Sequence, residues 1–447
     1  MTDDENLRRP DSHATISDLG RAYVIYHQRT MKALRPAFLP WVDTAILDAI
    51  EARAKADPAG EVAVVHHDLI DRFANAPLAA DQTAREAFLE LYKKAKALVF
   101  PATAAYLRHQ HALLELARNH SLASVDLETL QEIDRLRHGD ADFAHYVRLL
   151  VTKLGPGKAT PDVVAYSQFF EIYGEALALL FLRGRGLRAV RVPEEKGNPT
   201  PDFKCDLDGV PEFYIEVKSL DIAGGEFRRD EMMRDDIDVT VELERQRAEG
   251  RQVAIAEGTI DPFRKLGGDY DPYSLIAVID TLREKSRRAF KPEQFTRGPT
   301  FALAIVDRLL LPHGRNDLAP SYYQPFQSGA CVSGVLWHAA YGTIGGPIFR
   351  VANFEGKPTL EGRLSTDGLY TDTNQRFPGL GMVVLTREQG ERKAWGLQAC
   401  KENWGDWDSD DVEDVLHTIC EAMNDEGNRF ASKVSHPDYP NGAPAKH

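Results

Sequence analysis

The segment Phe213–Lys218, with the sequence FYIEVK, constrains the fold more than any other stretch of this chain. Strand side chains alternate between two faces, so a strand here places Tyr214, Glu216 and Lys218 on one face and apolar side chains on the other. A carboxylate and an ammonium on an otherwise apolar strand cost free energy unless they pair with each other or engage a ligand. The segment therefore predicts a strand that carries a polar site.

A second strand is predicted at Asp202–Leu207, joined to the first by an Asp-Gly turn at 208–209. A two-residue turn would bring Asp202 opposite Ile215, on the wrong face. A three-residue loop with glycine in a left-handed conformation would bring Asp202 opposite Glu216. In that register two carboxylates are neighbours and can share a divalent cation, a hard ion that prefers oxygen ligands. The predicted site therefore depends on an odd-length loop or a bulge.

Asp202, preceded by proline, is followed after 14 positions by Glu216-Val217-Lys218. This pattern resembles the signature of the PD-(D/E)XK, or restriction-endonuclease-like, nuclease superfamily. The ordered set of helix acid, strand, Pro-Asp, turn and Glu-x-Lys arises by chance much more rarely than an isolated Glu-x-Lys. The resemblance covers residues from about 165 to 220 well and extends loosely to about 350.

The resemblance also implies an acidic residue on the helix before these strands. The run Gly-Glu-Ala-Leu at 174–177 opens an apolar helical stretch, and Glu175 is the first choice for this position. Glu171, one turn earlier on the same helix face, is the competing candidate. The expected catalytic set is therefore Glu175, Asp202, Glu216 and Lys218.

Phosphodiester hydrolysis assigns a role to each of these groups. Mg²⁺, with Mn²⁺ as a substitute, would be held by Asp202, Glu216 and the backbone carbonyl of Val217. The ion would polarise the scissile phosphate and lower the pKa of a bound water. Lys218 would orient or help to deprotonate that water and offset charge developing in the transition state.

Three regions are expected along the chain. Residues 1–155 have apolar residues at helical spacing and few β-branched runs, which predicts an all-helical N-terminal domain. Residues 156–350 alternate helices and strands, which predicts an α/β nuclease domain with a central mixed sheet flanked by helices. Residues 351–447 predict a C-terminal α+β extension, either separate or completing the same sheet. Its helix is expected to begin near Ser409, with Val412, Leu416, Ile419 and Met423 on one face.

The remaining elements are predicted from periodicity and from turn residues. Helices are expected at Leu19–Leu34, Trp41–Ala54, Gln82–Leu98, Thr103–Arg118, Leu127–Leu136, Tyr166–Arg183, Arg234–Glu249 and Leu275–Phe290. Further strands are expected at Leu187–Val192, Val253–Ala256, Thr300–Val306, Cys331–His338, Pro347–Ala352 and Met382–Thr386. The stretch from His138 to Asp142, with His145, lacks metal-ligand spacing and is interpreted as a solvated loop.

The net charge of −14 argues at first sight against a nucleic-acid partner, but binding depends on local patches. Two segments are locally basic: Arg183 to Lys196 and Arg283 to Arg297. Each is either a nucleic-acid contact or a solvated helix face. Nucleic acid, DNA first, is the expected partner, and the N-terminal helices are expected to serve recognition, homo-oligomerisation or contacts with another protein.

Other partners and compartments are constrained by what the sequence lacks. No stretch approaches the roughly 20 apolar residues of a membrane helix. The polar, acidic first residues lack signal-peptide features. The four cysteines lie far apart, without zinc or redox spacing, so reduced thiols are expected. We therefore expect a cytoplasmic protein without a membrane partner.

These observations favour a metal-dependent nuclease, with a DNA endonuclease as the first expectation. By analogy with the family, the expected setting is bacterial restriction, antiphage defence or repair. The alternative is a non-catalytic nucleic-acid-binding or assembly protein that retains the nuclease fold.

Overall fold

The structure is a computed structural model. It describes residues 44–75, 82–113, 125–154, 163–195, 199–221, 239, 241–251, 253, 255–256, 264–265, 268–269, 274–309, 321–323, 331–350, 359–388 and 391–424. The chain divides into two compact units, Met1–Ala104 and Ala105–His447. This division lies before the boundary expected near residue 155, because the helices between 127 and 153 pack with the helix that leads into the sheet.

The first unit is built from amphipathic helices. They are α1 (Thr44–Ala56), α2 (Glu61–Asn75), α3 (Gln82–Val99) and the start of α4 (Pro101–Leu113). Ile46 and Ile50, one turn apart on α1, pack in one core with Leu69 of α2 and with Phe88 and Tyr92 of α3. The predicted helix at 19–34 lies outside the described residues, and α2 was not predicted.

In the second unit, three helices precede the sheet: α5 (Leu127–Leu136), α6 (Ala141–Lys153) and α7 (Val163–Gly184). The loop interpretation of 138–142 was wrong for its second half. Asp140 is the N-cap of α6, and its side chain accepts hydrogen bonds from the N–H groups of Asp142 and Phe143. This arrangement satisfies backbone donors that a helix start otherwise leaves without partners.

The second unit contains a seven-stranded mixed sheet with the order β1-β2-β3-β6-β11-β12-β13. Its strands are β1 (Arg188–Arg191), β2 (Phe203–Asp206), β3 (Phe213–Asp221), β6 (Thr300–Arg308), β11 (Gly381–Glu388), β12 (Glu391–Gln398) and β13 (Ala422–Asn424). The first three pair antiparallel, β6 is parallel to both β3 and β11, and β12 is antiparallel to β11 and parallel to β13. The predicted α/β class with a central mixed sheet flanked by helices is confirmed. The strands β11, β12 and β13, all after residue 351, complete this same sheet, the second of the two alternatives.

The β2–β3 hairpin has the register that the site requires. Phe203 pairs with Ile215 and Cys205 with Phe213, so Asp202 continues the ladder opposite Glu216. Gly209, in the connecting loop, has a φ of 87°, in the left-handed region that favours glycine. The predicted register is therefore confirmed, although the strands end earlier than expected and residues 207–212 connect them.

Helices cover the sheet where the site lies. Helix α9 (Leu275–Ala289) packs through Val278 and Leu282 in one core with Ala302 and Ala304 of β6. All of β6 up to Val306 is buried, as expected for a strand covered on both faces. Glu216 and Lys218 pair with Ala302 and Ala304, so they lie on the α9 side of β3. The Glu-x-Lys motif therefore belongs to the interior of the sheet rather than to an edge strand.

Several local predictions were wrong at element boundaries. The expected strand at 331–338 is a short strand, β8 (Cys331–Ser333), followed by the buried helix α10 (Val335–Tyr341). The described residues within 253–256 are not in a strand, and the helix expected at 234–249 is described as α8 at 241–248. Helix α11 (Ser409–Ile419) has Asp408, not Ser409, as its N-cap, and Met423 lies in β13.

Small hairpins pair β4 (Arg264–Lys265) with β5 (Gly268–Asp269), β7 (Ser321–Tyr323) with β8, and β9 (Pro347–Arg350) with β10 (Thr359–Arg363).

Candidate active site

Asp202 follows Pro201 and immediately precedes β2, and its side chain turns towards β3. Its Oδ2 accepts a hydrogen bond of 2.7 Å from the backbone N–H of Val217. The last backbone pair between β2 and β3 is Phe203 with Ile215, so the N–H of Val217 has no backbone acceptor on β2. The Asp202 carboxylate accepts this N–H in place of a backbone carbonyl. The N–H and C=O of one strand residue point to the same side, so the carbonyl of Val217 also faces Asp202 and away from β6. The structure thus brings these two predicted ligand groups to one place.

Glu216 is only 1% exposed and is held through one oxygen. Its Oε1 accepts hydrogen bonds from the Lys218 ammonium and from the side-chain amide of Gln294. Its Oε2 is buried and has no hydrogen-bond partner among the described residues. A buried carboxylate oxygen without a donor is costly in free energy, so this oxygen fits a position at which a cation or another ligand binds.

Gln294 is a site residue that the sequence did not reveal. It lies in a single 3-10 turn, Pro292–Phe295, directly after α9. Its own Oε1 accepts the N–H of Lys291 at 2.8 Å, which fixes the amide so that its NH₂ points at Glu216. No motif or spacing marks this glutamine, because its role depends on where the chain after α9 returns to the sheet.

Glu175, the first choice for the helix acid, is brought to the site by α7. Burial raises the pKa of Glu175 to about 8, and the negative charge of Asp202 adds to this effect, while the ammonium of Lys218 opposes it. Glu171, one turn earlier on the same helix, is exposed. Of the two candidates, only Glu175 lies among the other site residues.

Gly174 explains how Glu175 reaches the sheet. A Cβ added to Gly174 would lie 2.1 Å from the Oγ of Ser219 and 3.2 Å from the Cδ1 of Ile305. Glycine therefore lets α7 approach β3 and β6 this closely without displacing the Ser219 side chain. Gly174 thus permits the close packing of α7 on β3, and this packing brings the neighbouring Glu175 to the other site residues.

The charges of the acids and of Lys218 shift one another's pKa values. Burial, followed by the charge of Asp202, raises the pKa of Glu216 to about 7, and burial also raises the pKa of Asp202. Burial acts to lower the pKa of Lys218, but the charges of Asp202 and Glu216 hold it above its usual value. Three carboxyl groups thus face one ammonium, an excess of negative charge that a cation would offset.

A hard divalent cation needs several oxygen ligands that converge on one point. Within the described part of the chain, no group of three or more His, Cys, Asp or Glu side chains is already gathered as a metal site. The oxygen-only chemistry of Asp202, Glu216 and the Val217 carbonyl nevertheless fits a hard cation. The partnerless Oε2 of Glu216 supports the same conclusion. The residues therefore fit Mg²⁺ or Mn²⁺.

The first basic segment is largely neutralised by acidic partners. Arg183 pairs with Asp140 and Asp142, and Arg185 pairs with Glu421. Arg188 contacts the carboxylates at positions 206 and 208 across the hairpin. These contacts favour a structural role over a nucleic-acid patch; Lys196 lies outside the described residues.

The second basic segment is not one continuous surface. Arg283 is 2% exposed and donates a 2.6 Å hydrogen bond to the carbonyl of Thr366. Arg287 pairs with Asp372 at 2.9 Å. Neither alternative considered for this segment, a nucleic-acid patch or a solvated helix face, describes Arg283, which is a core residue that holds a loop.

Comparisons with protein-family models, with curated proteins and with solved structures found no match. No described helix combines the length and apolar character that a bilayer crossing requires. The geometry of the site is therefore the basis on which a function can be assigned to this chain.

Proposed function

We propose that this chain is a metal-dependent nuclease of the PD-(D/E)XK class. The observation that carries the proposal is the hairpin register, which sets Asp202 opposite Glu216 with Lys218 on the same face. The helix acid, Glu175, stands beside them. The order of elements supports a restriction-endonuclease-like core: an acid-bearing helix, three antiparallel strands, a crossover with α9 and the parallel strand β6.

Asp202, Glu216 and the carbonyl of Val217 would hold Mg²⁺, which when bound supplies Lewis-acid activation of the phosphate and of water. The hydrogen bond from the Val217 N–H fixes the direction of the Asp202 carboxylate. Gln294 and Lys218 fix Glu216 in the same way, which leaves its Oε2 free to bind. Preorganised ligands of this kind avoid reorganisation during the reaction.

Lys218 supplies the positive charge on the protein side of the reaction. Its raised pKa keeps the ammonium protonated near neutral pH, so it can donate to a phosphate oxygen or orient the attacking water. It is less deeply buried than Glu216, so it can turn towards a substrate while remaining beside that carboxylate. The proton released by the water would pass to Glu175, which is ionised above its raised pKa and, once a bound cation favours the carboxylate, at lower pH as well.

We further propose DNA as the substrate, with an endonuclease in bacterial restriction, antiphage defence or repair as the setting, and the cytoplasm as the compartment. The N-terminal helices would serve recognition, homo-oligomerisation or protein contacts. These assignments depend on the family resemblance alone.

A second candidate is a non-catalytic nucleic-acid-binding or assembly protein that keeps the fold. The observation that favours it is the contact between Lys218 and Glu216, in which the ammonium already neutralises the carboxylate that a metal would need. The two candidates differ in one measurable property, cleavage that requires a divalent cation.

The test is cleavage of supercoiled plasmid and of single- and double-stranded DNA and RNA oligonucleotides, with Mg²⁺ or Mn²⁺. Asp202→Asn and Lys218→Met are compared with Lys204→Met. Lys204 lies on the same hairpin, is exposed, and pairs with Glu212 at 2.6 Å. We expect the first two variants to lose at least about 100-fold in rate, and the control to match the wild type. Undiminished cleavage in both site variants would contradict the catalytic assignment, and no cleavage of any substrate by the wild type would favour the second candidate.

A further inference from the structure

Tyr146 is a buried residue that neither the resemblance nor the proposed mechanism uses. It lies on α6, ahead of the segment that carries the family motif, and is 1% exposed. Its buried hydroxyl meets no acceptor in full hydrogen-bond geometry among the described residues. Buried hydroxyls nearly always have a partner, so one without a partner calls for a physical reason.

The surroundings of this hydroxyl supply the reason. Apart from burial, the groups that act most strongly on Tyr146 are the carboxylates of Glu175 and Asp202. Burial, followed by these charges, raises the pKa of Tyr146 well above its usual range, so the hydroxyl stays protonated. A protonated O–H beside carboxylates is a hydrogen-bond donor placed next to acceptors.

Helix α6 is held firmly at this position. Arg183, in the last turn of α7, pairs with Asp140 and with Asp142, the latter at 2.8 Å. Asp142 also accepts the backbone N–H of Arg191 at 3.4 Å. Tyr146 follows Asp142 by one helical turn, on the same face of α6. The anchoring contacts therefore fix the turn that carries Tyr146 against α7 and β1.

We infer that Tyr146 is a positioning residue of the carboxylate site, whose hydroxyl donates a hydrogen bond to Glu175 and fixes how Glu175 faces Asp202. This inference rests on the proposed metal-dependent function. Each acid of the site then has a hydrogen-bond donor that orients it. The N–H of Val217 orients Asp202. Lys218 and Gln294 orient Glu216. It also makes α6 part of the site rather than of a separate helical domain.

The experiment replaces Tyr146 by phenylalanine, which removes the hydroxyl and keeps the ring. Tyr370→Phe is the matched control. Tyr370 is also buried, at 5% exposure, and its hydroxyl also lacks a partner, but it packs with Tyr341 and Phe377 in the core beside α10. Mn²⁺ affinity is measured by titration calorimetry on the full chain, together with melting temperature and, with Mn²⁺ present, the cleavage rate.

We expect Tyr146→Phe to weaken Mn²⁺ binding and slow cleavage by about tenfold or more, the usual effect of losing a partner that orients a metal site. Its melting temperature should stay close to that of the wild type, because the buried ring and its packing are kept and only one hydroxyl is lost. Tyr370→Phe should show the same thermal behaviour with unchanged affinity and rate.

The results separate this inference from the proposed function. If Asp202→Asn abolishes Mn²⁺ binding while Tyr146→Phe binds and cleaves like the wild type, the role of Tyr146 is overturned and the metal site stands. A loss of affinity accompanied by an equal loss of thermal stability would indicate packing alone and would also overturn it. If Asp202→Asn leaves Mn²⁺ binding unchanged, the proposed function and the inference fail together.

Discussion

Asp202 and Val217 are joined by a side-chain to backbone hydrogen bond of 2.7 Å that crosses the hairpin at the point where its backbone ladder ends. The bond connects the acid of one motif to the residue between Glu216 and Lys218 in the other. This one hydrogen bond therefore fixes the Pro-Asp motif beside the Glu-x-Lys motif.

This contact predicts a difference between two substitutions of Asp202. Asparagine keeps an oxygen that can accept the Val217 N–H, whereas alanine leaves that N–H without its partner. Both should abolish cleavage, because both remove the carboxylate. In urea unfolding at pH 7, Asp202→Ala should be less stable than Asp202→Asn by about 1–2 kcal/mol, the typical effect of one hydrogen bond with a desolvated donor. Equal stabilities would show that the bond does not hold the hairpin.

The second prediction concerns the close approach of α7 to β3. Gly174→Ala places a Cβ 2.1 Å from the Oγ of Ser219, so the Ser219 side chain must rotate or the helix must move. We expect a loss of about 1–3 kcal/mol in unfolding free energy, the range for overpacked cores, and a large loss of cleavage because Glu175 moves with the helix. Gly184→Ala, at the open end of the same helix, is the control, since no atom lies within 4 Å of its added Cβ.

A second substitution, at Ser219, tests whether the clash with the new Cβ causes the loss. Replacing Ser219 by glycine removes the atom that the new Cβ would meet, so Gly174→Ala with Ser219→Gly should recover part of the lost activity. Activity in the double variant no higher than in Gly174→Ala would mean that the clash is not the cause.

The third prediction concerns Gln294. Gln294→Met keeps the length of the side chain but removes the amide that donates to Glu216 and accepts from Lys291. We expect about 1–3 kcal/mol of destabilisation from the lost bond to a buried carboxylate, and a fall in Mn²⁺ affinity. Glu293→Gln, on the exposed side of the same turn, should change neither quantity. Unchanged Mn²⁺ affinity in Gln294→Met would remove this glutamine from the site.

The sequence predicted β2, β3 and the register between them because these depend on local patterns. Alternation fixes which side chains of β3 share a face, and Gly209 fixes the loop. Glu175 could be chosen over Glu171 only in the structure, because helical spacing puts both on one face while the approach of α7 at Gly174 selects one of them.

Residues supplied by distant segments could not be predicted in this way. Gln294 and Tyr146 reach the site through the packing of α9 and α6, which no spacing in the sequence encodes. The pairing of Arg183 and of Arg287, one from each basic segment, could not be predicted for the same reason. Their partners, such as Asp140 and Asp372, lie far away in sequence.

The last prediction concerns pH in the absence of divalent cations. The pKa of Glu175 is raised to about 8 and that of Glu216 to about 7, both above the value of 4.5 for an unperturbed glutamate. The folded protein therefore binds more protons than the unfolded chain between these limits, and stability falls as pH rises. This contribution is fully present below about pH 4.5 and is lost as pH rises through 7 to 8.

Melting temperatures of the metal-free protein should thus decrease from pH 5 to 8.5, and Glu175→Gln should flatten this dependence because it removes one of the two titrations. Mn²⁺ should reverse the trend, since its ligands must be deprotonated and its affinity must rise across the same interval. Calorimetric titrations in buffers of different ionisation enthalpy would count the protons released on binding. A melting temperature that rises steadily from pH 5 to 8.5 without metal would show that these carboxyl groups are already ionised in the folded protein. The excess negative charge would then have to be offset by something other than protons, and the raised pKa values of Glu175 and Glu216 would be wrong.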